Sequence, residues 1–212
     1  MNVFRRRLTF LALASALTVQ APVFAQTAGK DYQMINPAQS TDEPGKIEVI
    51  EFFGYFCSHC RDAHPQLQAW AAKLPSDVVL KKVPVSFGRA PLVAWQRLYY
   101  TLEATGDLAR LDGLAFKAAQ DDRVMLTNED DAAAWAVKNG VDRKKFGEAW
   151  NSFGVASKVK RAGQLEQAYK VNGVPSLAVD GKYMIGDMAF ADKLLVTDKL
   201  AAKIRSERAG KK

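Results

Sequence analysis

The chain has 212 residues, 48% of them apolar and 25% charged, with a formal net charge of +7, two cysteines and two histidines. That length suits one domain, or one domain with an insertion. The positive balance is too mild to point to nucleic acid, because lysines and acids are interspersed as on an ordinary solvated surface.

Residues 1–25 have the pattern of a cleavable export signal. Arg5, Arg6 and Arg7 precede an apolar run from Leu8 to Val19, and Val23-Phe24-Ala25 supplies the small-x-small cleavage pattern. The run is shorter than the roughly 20 residues a spanning helix needs. No later stretch is apolar enough to cross a membrane, and the short apolar run behind a basic start makes the bacterial periplasm the expected location. Residues 26–45 are polar, with one short strand expected near Tyr32 to Ile35.

Lys46 to Phe53 (KIEVIEFF) predicts a strand. Ile47, Val49, Glu51 and Phe53 fall on one face, with Glu48, Ile50 and Phe52 on the other. Both faces are largely apolar, which marks a central strand covered on both sides. From Ser58 to about Leu74 the spacing of Leu67, Trp70, Ala71 and Leu74 is helical, and Pro65 is expected to kink that helix. Val78 to Val85 predicts a second strand.

From about Arg89 to Phe153 only helical patterns occur. Leu92, Trp95, Leu98, Tyr99 and Leu102 form one stripe, and Leu108, Leu111 and Leu114 begin another. Thr127 followed by Asp130 resembles a capping box, and Asp142 is placed to cap a further helix carrying Phe146, Trp150 and Phe153, all read as core. A helix from Ser157 to Lys170 follows. Ser176–Val179 and Lys182–Ile185 then flank Asp180-Gly181, a hairpin signal, and a last helix spans about Ala189 to Arg205. The order predicts an α/β fold: a small mixed sheet, residues 26–88 and 155–212, with an all-helical insertion, residues 89–154.

The two cysteines form Cys57-Ser58-His59-Cys60. A stapling bridge here would close so short a loop that it would restrict the unfolded chain little, so reactivity explains the pair better. Cys57 falls where a strand ends and a helix begins, and there free N–H groups and the helix dipole favour an anion. Cys60 lies one turn later, turned toward the body. Cys57 is therefore expected to be the attacked, substrate-facing sulfur and Cys60 the shielded one. His59 can add a hydrogen bond or positive charge. A zinc site from Cys57, Cys60, His59 and His64 is opposed by the lack of a second ligand pair and by export to an oxidising compartment. Glu51 is a carboxylate on an apolar strand face, placed to exchange a proton with Cys60 as burial raises its proton affinity. Lys82 on the neighbouring strand is a candidate partner for it.

EFFGYFCSHC, with GVPSLAVDGKY far downstream, resembles the DsbA family of periplasmic disulfide oxidases. The resemblance implies a thioredoxin-like mixed sheet with a helical insertion, and a cis Val174-Pro175 bond facing the cysteines, where the Val174 backbone can pair with a substrate chain. It also implies a buried acid at Glu51 and often a lysine at Lys82. Members usually carry Pro between the first Cys and the His. Ser58 stands there instead, which makes it the position that tunes oxidant strength.

The expected function is therefore a monomeric periplasmic dithiol oxidase that donates its disulfide to reduced exported proteins. The resemblance implies reoxidation by a membrane quinone-linked DsbB-type partner, with no cofactor or metal. The rivals are an isomerase or reductase of the same fold, and a chaperone or metal-binding protein in which the pair is incidental.

Overall fold

The computed structural model describes residues 27–210, so the export-signal reading of residues 1–25 lies outside the described residues. The elements, in chain order, are strand β1 (Tyr32–Met34), strand β2 (Ile47–Phe53), helix α1 (Ser58–Ala71), strand β3 (Val78–Pro84), helices α2 (Ala90–Thr105), α3 (Leu108–Gln120), α4 (Glu129–Lys138), α5 (Arg143–Trp150) and α6 (Phe153–Ala168), strands β4 (Ser176–Val179) and β5 (Tyr183–Ile185), and helix α7 (Phe190–Ala209). The fold is the expected mixed sheet of thioredoxin-like type with a run of helices between β3 and β4.

The strands lie in the order β1-β5-β4-β2-β3. β2 and β3 are parallel, Ile47 opposite Val78 and Glu51 opposite Lys82, and α1 is the crossover that a parallel pair requires. β4 runs antiparallel to β2, with Glu51 opposite Leu177, and β5 and β1 continue antiparallel. All seven residues of β2 are buried, as the two apolar faces require. On one side Ile47, Val49, Leu177 and Val179 pack with Leu67 of α1 and with Leu194, Leu200 and Ile204 of α7. On the other, Ile50, Phe52 and Val83 join Leu98, Leu102, Phe116 and Phe146 of the intervening helices.

Asp180 and Gly181 both take positive φ, 53° and 64°, and the Lys182 N–H donates to the Val179 carbonyl at 3.0 Å. This is the two-residue turn whose twist suits a hairpin. α1 continues through Pro65, where the residue forgoes one N–H donor.

Four local readings need correction. Asn128, not Thr127, caps α4: its side chain accepts the Asp131 N–H at 3.0 Å, while Thr127 donates to the Asp131 carboxylate. Phe153 is 87% exposed rather than core, because α5 stops at Trp150 and Phe153 opens α6 behind the Ser152 cap, which breaks the helical phase that would have turned it inward. α6 thus starts four residues before the expected Ser157. Leu114 is also exposed, the inward face of α3 being Leu111, Asp112, Ala115 and Phe116.

A Cβ at Gly181 would lie 2.0 Å from the Gln39 carbonyl oxygen, and its φ is left-handed. Gly181→Ala is therefore expected to destabilise the protein by about 1–3 kcal/mol, read as a lower urea midpoint. An unchanged midpoint would show that the Gln39 segment yields freely.

Candidate active site

The end of β2 delivers the chain through Gly54-Tyr55-Phe56 to Cys57, which caps α1 in an extended conformation. The Cys57 sulfur accepts the Cys60 N–H at 3.3 Å. As a thiol, Cys57 also donates to the Val174 carbonyl at 3.3 Å across the cis Val174-Pro175 bond. Two segments far apart in the chain thus meet at one sulfur, which is partly exposed, while Cys60 is 0% exposed. Both cysteines are free thiols.

This setting separates the two sulfurs chemically. Cys57 is lowered to about 6, chiefly by the hydrogen bond from the Cys60 side chain, helped by the N–H groups of Cys60 and His59 and opposed by partial burial. Cys60 is pushed far above the ordinary thiol range by that same shared hydrogen bond and by burial. One sulfur is a stable thiolate near neutrality and the other holds its proton.

Beneath the pair lies Glu51, 2% exposed, its carboxyl raised from the usual 4.5 to about 7 by burial, with Lys82 pulling it down and Asp112 and Cys57 pushing it up. The Lys82 ammonium stands 3.8 Å from Glu51 Oε2, too far for a hydrogen bond, and that oxygen accepts none. Lys82 instead donates to Asp112 Oδ2 at 2.6 Å. Asp112 Oδ1 accepts the Tyr55 hydroxyl at 2.6 Å, and His64 Nδ1 stands 3.7 Å from Oδ2. Burial lowers the basicity of His64.

The structure thus brings together the residues singled out in the sequence. Cys57 meets Cys60 and Val174 directly, and Pro175 follows Val174 through the cis bond. His59 is exposed but contributes its backbone N–H to Cys57, and Ser58 is exposed at the first position of α1. Lys82 approaches Glu51, although its closer partner is Asp112. Sequence reasoning missed Asp112, Tyr55 and Gln120. Gln120, the last residue of α3, donates to the carbonyls of Tyr55 at 2.8 Å and Cys57 at 3.0 Å. Asp112 had a usable signal: it stands four residues before Phe116 on the inward stripe of α3, the same anomaly of an acid on an apolar face that marked Glu51.

Beside Cys57, a cavity of about 860 Å³ is lined by His59, Val174, Pro175, Met188, Phe190 and Lys193, among others. Lys193 is 8% exposed and donates to the Pro175 carbonyl at 3.0 Å, tying α7 to the cis-proline segment. On the other flank Glu166 accepts the N–H groups of Ser86 and Phe87 at 3.0 and 3.2 Å, and the Phe87 ring meets Phe56 edge to face. Among the described residues no group of three or more acids, cysteines and histidines is arranged to hold a metal ion.

Residues 48–195 match the family model described as a DSBA-like thioredoxin domain. The chain is 41% identical over 210 residues to the thiol:disulfide interchange protein DsbA of Bordetella parapertussis, covering 96% of this chain and 98% of that protein. It is 35% identical over 202 residues to DsbA of Pseudomonas aeruginosa, covering 91% and 95%. The crystal structure of Pseudomonas aeruginosa DsbA superimposes with a TM-score of 0.82 at 33% identity, over 88% of this chain and 97% of that one.

Two titrations test the electrostatics. In the reduced protein the ultraviolet absorbance of thiolate is expected to rise with a midpoint near pH 6, and the step is expected to vanish in Cys57→Ala. The Glu51 carboxyl is held protonated to about 7 when folded but ionises from about 4.5 when unfolded. Between those values the unfolded state binds fewer protons, so stability falls as pH rises. Glu51→Gln is expected to remove that slope and to stabilise the protein by on the order of 2 kcal/mol at pH 8, measured by urea denaturation at several pH values.

Proposed function

The chain belongs to the DSBA-like thioredoxin family and is a thiol:disulfide oxidoreductase of the dithiol-oxidase kind, and from that premise we propose that it donates a Cys57–Cys60 disulfide to newly exported proteins. A substrate thiolate attacks Cys57, forming a mixed disulfide and expelling Cys60 as a thiolate, which takes a proton from Glu51. A second substrate thiolate then attacks the substrate sulfur of the mixed disulfide and releases Cys57 as a thiolate. The substrate loses two electrons to form its disulfide, and the protein ends as the dithiol.

The observation that supports this division of labour is the asymmetry of the pair. Cys57 is reachable, capped by N–H groups and set against the Val174 carbonyl, while Cys60 is fully buried. A stabilised thiolate is a good leaving group and makes the reduced state the favoured one, so the protein is oxidising. The Val174 backbone beside cis Pro175 aligns the substrate chain. His59 and Ser58 tune the Cys57 thiolate, and Lys82 moderates Glu51.

In this reading residues 1–25 are removed on export, and residues 26–88 and 155–212 form the thioredoxin-like domain around the insertion 89–154. The protein acts in the periplasm as a single copy and is reoxidised by a membrane quinone-linked partner of the DsbB type. Electrons pass only between sulfur atoms, so no diffusible cofactor is required.

Cys57→Ala and Cys60→Ala are each expected to abolish oxidation of a reduced, unfolded secretory protein, since neither variant can form the Cys57–Cys60 disulfide. In Cys60→Ala the Cys57 thiolate is still expected to attack glutathione disulfide, expel one glutathione thiolate and keep the other as a mixed disulfide that reductant removes. Equilibration with glutathione buffers is expected to give a potential more oxidising than about −200 mV. A value near that of thioredoxin, about −270 mV, would instead assign the protein to reduction.

A further inference from the structure

We propose that Asp112, on helix α3 of the helical segment, is a positioning residue for disulfide exchange: its 2.6 Å ion pair with Lys82 holds that ammonium 3.8 Å from Glu51 and leaves the Glu51 carboxyl free to exchange a proton with Cys60. The inference rests on the reading that Glu51 carries the Cys60 proton.

Two buried carboxyls share one half-buried ammonium here, so the cation cannot satisfy both. Geometry decides between them. Asp112 is bound at both oxygens, by Lys82 at 2.6 Å and by the Tyr55 hydroxyl at 2.6 Å, whereas Lys82 stands 3.8 Å from Glu51. Glu51 Oε2, buried and without a hydrogen-bond partner, is left as the acid of the pair that can hold a proton. Lys82 is further fixed by the ring of Phe53, 4.4 Å from its ammonium.

The groups facing Glu51 come from several elements: Lys82 from β3, Asp112 from α3, Cys57 at the cap of α1 and Cys60 in its first turn, Tyr55 from the loop before α1 and Tyr99 from α2. His64 faces Asp112 and Lys82 rather than Glu51. Lys82 carries the positive charge of this set. Without the aspartate charge, Lys82 would keep a single anionic partner and close on Glu51. The glutamate would then stay ionised to lower pH and could not supply a proton to the departing Cys60 thiolate.

The test follows oxidation of the reduced protein by glutathione disulfide in rapid mixing. The Cys57 thiolate attacks one sulfur and expels one glutathione thiolate. The Cys60 thiol then passes its proton to Glu51 and attacks Cys57, expelling the second, so that glutathione disulfide gains two electrons and the protein loses two. The rate of the second, intramolecular step is measured against pH. Asp112→Asn is expected to move its midpoint down by about one pH unit or more, and Asp112→Glu to restore it. Glu51→Gln is expected to abolish the inflection, with Asp112→Asn adding nothing in that background.

An unmoved midpoint in Asp112→Asn, or an inflection that responds to it in the Glu51→Gln background, overturns the assignment. So does a Cys57 thiolate titration that moves alongside, which would mean general loosening of the site. If Glu51→Gln leaves the wild-type inflection in place, the failure lies instead in the reading of Glu51 as proton carrier, and the role of Asp112 falls with it.

Discussion

The sulfur of Cys57 takes the place of a capping oxygen at the start of α1, and the surrounding structure follows from what a negative charge at that position demands. Helix starts leave N–H groups without partners, and here the Cys60 N–H reaches the sulfur at 3.3 Å, with the His59 N–H also favouring the anion. A fixed charge needs a fixed helix. α1 is held by Leu67 in the core under the sheet and at its outer end by Trp70, whose indole N–H donates to Asp198 of α7 at 2.8 Å. The chain arriving from β2 is held equally firmly, because β2 is buried throughout and lies between β3 and β4.

Directly below, the protein buries two acids, Glu51 on β2 and Asp112 on α3, on faces that are otherwise apolar. Burying charge is costly unless it is paired, and Glu51, Asp112 and Lys82 amount to an incomplete pairing with one acid in excess. The protein tolerates that by raising the Glu51 carboxyl to about 7, chiefly through burial, so that it is only partly ionised near neutrality. A buried carboxyl that changes protonation close to neutral pH suits proton exchange in a way that a fully paired one does not. Cys60 is raised as well, first by the hydrogen bond it shares with Cys57 and then by burial, so both groups facing the body of the fold hold protons more strongly than usual.

The helices between β3 and β4 reach the site from outside the sheet. Gln120 binds the carbonyls on either side of Phe56, Asp112 receives Lys82 and Tyr55, and Glu166 of α6 fixes the Ser86-Phe87 turn that faces Phe56. From the opposite side Lys193 of α7 holds the Pro175 carbonyl. The cysteine pair is thus bounded on one flank by the helical segment and on the other by the cis-proline segment, with the cavity opening on the latter side.

The sequence by itself determined what depends on neighbours along the chain. Alternation in KIEVIEFF marked a doubly covered strand, Asp180-Gly181 marked the hairpin, the strand-to-helix step at Cys57 made that sulfur the acidic one, and Glu51 stood out as an acid in an apolar pattern. Resemblance added the cis Val174-Pro175 bond, which spacing alone does not reveal because cis bonds carry no periodic signal. Local phase failed where an element ended early, at Phe153, and where adjacent polar residues competed for one cap, at Thr127 and Asn128. Only the tertiary structure decided that Lys82 sits nearer Asp112 than Glu51, since Asp112 lies 30 residues further along the chain on another element. Strand pairing sets Lys82 beside Glu51 in register, but which carboxylate its flexible side chain reaches depends on how α3 packs over the sheet. That choice is made by packing in three dimensions, not by spacing along the chain.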